Sequence, residues 1–223
     1  IESSHILTNT VTGGGSGHKS GGGIGFLGTT NAVVSNSWIA ANQNVPTGGY
    51  CGGGGIGFVV NATASRIEGS VIYDNYVAGP GYCEGAGIDM LSGNSLTIVN
   101  NLIANNTYGG TSGGLGGGLN MNGSSAGLYL INNTIVGNSA TQGGGVHMEN
   151  GTNYAFNNAI FGNNASYRGG GLRVNSGTAD YNDAYGNTAW ENPDYSGTIG
   201  ANNLNLDPLF VNTGDLVRRY QLR

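Results

Sequence analysis

Charged side chains are scarce in this chain. Lys and Arg together number 7, Asp and Glu 12, and all four types make up 9% of the 223 residues, far below the usual quarter. With a net charge of −5 and so few cations, the surface lacks the basic footprint that a phosphate backbone needs. Nucleic acid is therefore excluded as an expected partner. No run of 18 or more apolar residues occurs, so no helical membrane span is expected. Good helix windows are missing too, because glycine and asparagine interrupt every stretch of about a dozen residues. Proline is limited to 4 residues and cysteine to 2. The chain starts at Ile1 rather than at a methionine, and reads as a mature or trimmed piece.

Glycine is abundant instead. It supplies 45 residues, about one in five, against an average near 7%. The absence of a G-x-y period excludes collagen. Apolar residues make up 38% and recur at ordered positions, which argues against disorder.

Those positions define a repeat. A glycine run followed by an aliphatic residue occurs as GGGIGF at 21–26 and 53–58, GAGIDM at 85–90, GGGLNM at 116–121, GGGVHM at 143–148 and GGGLRV at 169–174. The starts are 32, 32, 31, 27 and 26 residues apart. A second landmark, an apolar residue followed three positions later by asparagine, gives the column Asn9, Asn42, Asn75, Asn106, Asn138, Asn163 and Asn187. Within a repeat the apolar residues alternate, as Ile24 and Phe26 do, which is the period of a strand. Short strands joined by Gly, Asn, Ser and Thr turns fit one coil of a solenoid per repeat. The expected fold is all-β: a right-handed parallel β-helix of about six to seven coils. Ile24, Ile56, Ile88, Leu119, Val146 and Leu172 form its first inward column, and Phe26, Phe58, Met90, Met121, Met148 and Val174 the next. Such ranks bury a core that no single coil could bury alone. Asparagine at a fixed turn has two expected jobs: adopting the left-handed conformation and bonding its amide to the next rung.

The pairing of GG-[AG]-[ILV] with apolar-x-x-N resembles the repeats of polymorphic outer-membrane proteins, bacterial surface β-helices of autotransporter type. More widely it resembles the pectin-lyase-like superfamily. The likeness covers residues 1–189 through six copies. LDPLFVNTGD at 206–215 resembles the segment that closes such repeat regions in large secreted bacterial proteins. Residues 1–189 are thus expected to form the coils, and 190–223 a final partial coil and closing segment of the same domain. The resemblance implies fold strongly and function weakly, since this fold hosts adhesins, passenger stalks, lyases and hydrolases.

The earlier coils are longer, with extra residues at 43–51, 76–83 and 107–116. Cys51 and Cys83 each lie two residues before a glycine run, in one column on adjacent rungs. That spacing predicts a Cys51–Cys83 disulfide and an oxidising compartment; two free buried thiols are the alternative. Tyr50 and Tyr82 precede them and are expected to stack. The equivalent positions are Lys19 and Gly114, and His18 is the one nitrogen ligand nearby, too few for zinc. No metal and no cofactor is expected.

Candidate chemistry falls on the outward column of the first strand: Gly25, Gly57, Asp89, Asn120, His147 and Arg173, with Glu149 diagonal to Arg173. In β-helix lyases and hydrolases the active site lies on a strand face like this one. Here no close pair of aspartates, no acidic triad and no lysine is present, so Asp89, His147, Glu149 and Arg173 are weak catalytic candidates. They read more readily as a contact surface or a solvated face. Two functions are carried forward. The first is a secreted or surface-displayed structural or adhesive protein, either a stalk, a filament or sheath subunit, or an adhesin passenger. Its expected partners are further copies of itself or a host or matrix carbohydrate. The alternative is a carbohydrate-active enzyme, a polysaccharide lyase or glycoside hydrolase using the 89–175 face.

Overall fold

A computed structural model describes residues 1–28, 31–59, 63–91, 95–123 and 127–210. Among them every strand pairing is parallel and no helix occurs. One complete turn runs through the strands Ile24–Phe26, Val33–Ser35, Trp38–Ala40, Gln43–Asn44 and Cys51–Gly52, and the next turn starts at Ile56–Phe58. Each strand pairs with its equivalent one repeat away, so Ile24 lies beside Ile56, Ile56 beside Ile88, and the rank continues through Leu119, Val146 and Leu172. The chain is an all-β, right-handed parallel β-helix. Rungs about 4.8 Å apart bring these aliphatic side chains together. They fuse with Val34, Ile39, Ile67, Ile72 and their equivalents into one buried core.

The corners explain the glycine runs. Gly53 takes a φ of +65°, where glycine carries no Cβ penalty. A Cβ on the next residue, Gly54, would stand 2.5 Å from the carbonyl oxygen of Ala86 on the following rung. The first glycine therefore turns the chain, and the second lets adjacent coils touch.

The asparagine column forms a hydrogen-bonded ladder. Each side-chain amide donates to the next rung's oxygen at 2.9–3.0 Å, from Asn9 to Asn42, Asn75, Asn106, Asn138, Asn163 and Asn187, and Asn187 donates to Asp194. The first expected job, the left-handed conformation, belongs to another residue. The left-handed conformation is taken by the position before each ladder asparagine, as at Ala41, Asp74 and Asn105, each with φ of 55°. A parallel ladder, absent from the repeat motif as read above, lies five residues earlier. It runs through Ser37, Ser70, Asn101, Asn133, Asn158, Asn182 and Asn203.

Residues past 189 continue the coil. Tyr195–Ile199 pairs with Leu172–Asp180, and Leu204 bridges to Asp183. The closing segment beyond Phe210, including the end of LDPLFVNTGD, lies outside the described residues. The extra residues of the long coils separate two short strands, Gln43–Asn44 from Cys51–Gly52 and Tyr76–Val77 from Cys83–Glu84. Where the loop is absent the same path is one strand, Ser139–Gln142.

Candidate functional site

The first-strand column is in register as expected, with Gly57, Asp89, Asn120, His147 and Arg173 on successive rungs. Its surroundings differ from the sequence reading. Asp89, Asn120 and His147 are 0% exposed, so this is not a solvated face. The cover comes from the short strands that follow the loops. A Cβ on Gly57 would meet the Ser20 hydroxyl, and one on Gly52 would lie 1.9 Å from Asp89 Oδ2. Gly52 therefore makes the room in which the Asp89 carboxyl sits. The equivalent of Gly52 one rung on is Glu84, itself buried.

Glu84 supplies a second carboxyl to Asp89, a pairing that alternation along one strand cannot reveal. The Asn120 amide donates to both, to Asp89 Oδ1 at 3.0 Å and to Glu84 Oε2 at 3.2 Å. Asn122 donates to Glu84 Oε1 at 3.2 Å. Asp89 Oδ2 has no hydrogen-bond partner. Burial raises the Asp89 carboxyl well above its usual range, and the neighbouring Glu84 charge adds to the rise. Burial also raises Glu84, against the Asn122 and Asn120 hydrogen bonds that favour its charged form.

The column continues with consistent polarity. With the Asn120 amide nitrogen committed to the two carboxyls, its Oδ1 faces His147 Nδ1 at 3.0 Å and accepts a hydrogen bond from the Nδ1–H. Nε2 is then the acceptor, and Arg173 Nη1 stands 2.5 Å away. Burial, and secondarily the Arg173 charge, lower His147 to about 3, so the ring is neutral at ordinary pH. Glu149 Oε2 lies 2.9 Å from Nε2 and 3.5 Å from Arg173, and it accepts a 2.7 Å bond from Asn175. Donors thus run from the Arg173 guanidinium through His147 and Asn120 to the acid pair.

The outer end of this chain opens into a cleft of about 350 Å³, lined by Tyr82, Leu115, Asn122, Gln142, Glu149, Asn150 and Arg173. Glu149 and Arg173 are the charged groups in its wall, with side chains 35% and 12% exposed. Asn150 donates to Asn122 across the rungs. The cleft shares Tyr82 with a groove lined by Gly49, Tyr50, Pro80, Gly81, Tyr82 and Ser112. Stacking of Tyr50 on Tyr82 is not among the ring contacts of the described residues. Both instead keep exposed rings in the groove.

Cys51 and Cys83 are joined, with Cα atoms 4.4 Å apart on paired strands. The bridge lies in a small buried cluster with Val77 and Ala86. It fixes the residues immediately after each cysteine, Gly52 and Glu84, which frame Asp89. Among the described residues no group of three or more His, Cys, Asp or Glu side chains could hold a metal ion. No helix among them is long and apolar enough to cross a membrane.

The model for a right-handed β-helix region matches residues 1–164. The chain belongs to the right-handed β-helix family. Within this β-helix the match covers the Cys51–Cys83 bridge, the acid pair and His147, and it stops before Arg173. No curated protein and no solved structure matches the chain. Hydrolysis of a glycosidic bond ordinarily needs two carboxyl groups flanking it. Here the pair lies beneath the surface and the cleft wall offers one carboxylate, Glu149. Its amides, guanidinium and tyrosine are a hydrogen-bonding and stacking set suited to holding a polyhydroxylated ligand.

Proposed function

We propose that this β-helix is an extracellular structural or adhesive protein that holds a carbohydrate in the Tyr82–Arg173 cleft. The observation that carries the reading is the cleft wall itself. Asn122, Gln142 and Asn150 supply amide donors and acceptors beside the Glu149–Arg173 pair, and Tyr82 supplies an aromatic edge. The buried chain beneath supports it as well. Burying polar groups is costly, and a stalk that only spans distance has no use for Glu84, Asp89 and His147 under one surface patch. Here the chain orients Arg173 toward the cleft. The disulfide supports an oxidising compartment. Surface display as an autotransporter-type passenger is the setting that the repeat motifs favour.

Calorimetric titration with neutral and uronate-containing oligosaccharides tests the reading. Binding that falls at least about tenfold in Asn150→Ala and Gln142→Ala is the expected result. Absence of binding to every sugar offered would remove it.

A second reading, a carbohydrate-active enzyme, has one specific observation in its favour. Glu84 and Asp89 are both held toward their protonated forms, the state required of a general acid. It requires the cleft floor to open on substrate binding. Release of reducing ends, or of unsaturated product absorbing in the ultraviolet, would support it. Turnover that survives Glu149→Gln and Asp89→Asn would sink it.

A further inference from the structure

We infer that the Tyr50–Tyr82 groove is a second sugar subsite, continuous with the cleft, and that the ligand is an extended oligosaccharide lying along the rod axis. The inference rests on the carbohydrate reading of the cleft. The groove encloses about 600 Å³ and is lined by Gly49, Tyr50, Pro80, Gly81, Tyr82 and Ser112. None of these carries a charge, and the Lys19 ammonium beside Gly49 is held by the Gly15 and Gly17 carbonyls, so the groove favours a neutral sugar unit. Tyr82 belongs to both depressions, so an occupant that fills both passes over this residue.

The tyrosines here differ from the stacked pair on the sheet. Tyr129 and Tyr154 stack with centroids 5.2 Å apart and planes 17° apart, so each covers a face of the other, and they serve the sheet. Tyr50 and Tyr82 sit on adjacent rungs with 56% and 39% of their surfaces exposed. Between them are glycine and proline, which add no side chain that competes for the rings. An aromatic face left free beside uncharged backbone is a platform for the apolar face of a pyranose ring. From the Tyr50 rung to the Arg173 rung is four steps, about 19 Å, the length of several sugar units. The cysteines fix the platform, because Tyr50 and Tyr82 each immediately precede a bridged residue.

The test compares chain lengths. Disaccharide through hexasaccharide of a neutral glucan, and a matching uronate series, are titrated calorimetrically into the intact disulfide-bonded protein. Affinity should rise with length. Tyr50→Ala should weaken the longest ligand about tenfold, the size of one aromatic contact, and leave the disaccharide unchanged. Tyr50→Phe should retain the wild-type values. Thermal melts of each variant verify that the fold is intact, as the exposure of Tyr50 leads one to expect. If Tyr50→Ala binds every length as the wild type does, while Asn150→Ala still weakens them all, the groove is not a subsite and the cleft reading survives alone. If the wild type binds no sugar of any length, the cleft reading fails and the groove falls with it.

Discussion

Asn120 donates its side-chain amide to Asp89 Oδ1 at 3.0 Å inside the β-helix wall, and the orientation of everything outward of it follows. The same amide serves Glu84, and its oxygen faces His147. Replacing Asn120 with Ala takes the side-chain donor from Asp89 Oδ1 and the acceptor from the imidazole N–H, while Glu84 keeps its bond from Asn122. The expected cost is roughly 2–4 kcal/mol, one to two unsatisfied buried groups, read as a lower midpoint in denaturant titration. Asn120→Asp should cost more, because a third carboxyl then faces the acid pair. Cleft binding should weaken in both, since the imidazole that fixes Arg173 loses its own anchor.

Asp89→Asn should behave in the opposite way. The raised folded value means that the native state holds a proton which the unfolded chain gives up. Stability from this group is then fully present below the ordinary carboxyl value and is lost as pH rises toward the folded value. An amide mimics the protonated acid at all pH. The variant is expected to be more stable than the wild type at pH 7, with the advantage vanishing below about pH 4. Equal stability of the two proteins at pH 7 and pH 4 would show that Asp89 is not held protonated.

His147 contributes with the reverse sign. Its folded value is lowered to about 3 from 6.5, so between those limits the unfolded chain binds the extra proton. Stability from the neutral ring is complete above pH 6.5 and declines as pH falls toward 3. Between pH 6.5 and pH 4 the loss is on the order of 3 kcal/mol. His147→Asn should flatten the wild-type slope in that interval by about one proton. Denaturant titration at half-unit pH steps measures it, and parallel slopes for both proteins would refute it.

The β-helix was legible because its rules are local. Ile24, Ile56 and Ile88 are spaced by the repeat and stand side by side. Cys51 and Cys83 share a column for the same reason. The site was less legible. Alternation along Ile88–Met90 says that Asp89 points away from the core, but not what lies on that side. The cover is the Cys51–Gly52 and Cys83–Glu84 pair of strands, folded back at the glycine corner, and no periodicity along one strand encodes that contact. Glu84 as the partner of Asp89 is consequently not encoded in any sequence period. The second ladder leaves no single-residue column in the sequence, because its first two rungs, Ser37 and Ser70, are not asparagine.

The first ladder predicts a graded cost. Asn106 donates to Ile72 O and Asn138 Oδ1, and its own oxygen accepts from Asn75 backbone and side-chain nitrogens. Asn106→Ala should cost roughly 3 kcal/mol or more, since several buried groups lose partners at once. Asn9 is exposed at the outer end of the described ladder, and Asn9→Ala should cost under about 1 kcal/mol. Equal losses at both positions would mean that the ladder does not act through buried hydrogen bonds.

The Cys51–Cys83 bridge closes a separation of 32 residues, for which loop-closure entropy gives about 3–4 kcal/mol of stabilisation. Its local consequence is larger than its global one. Most of the rod is held by ladders and core that do not involve the cysteines, so Cys51→Ala/Cys83→Ala should still fold, at a lower melting temperature. Gly52 and Glu84, however, are each covalently adjacent to a bridged residue, and together they enclose Asp89. Freeing them lets water reach the acid pair, so the Asp89 carboxyl should titrate closer to its ordinary value. Carboxyl resonances followed by NMR through a pH series would then move to lower midpoints in the double variant. Midpoints unchanged from the oxidised wild type would assign the burial of Asp89 to the sheet alone and leave the disulfide a purely global brace.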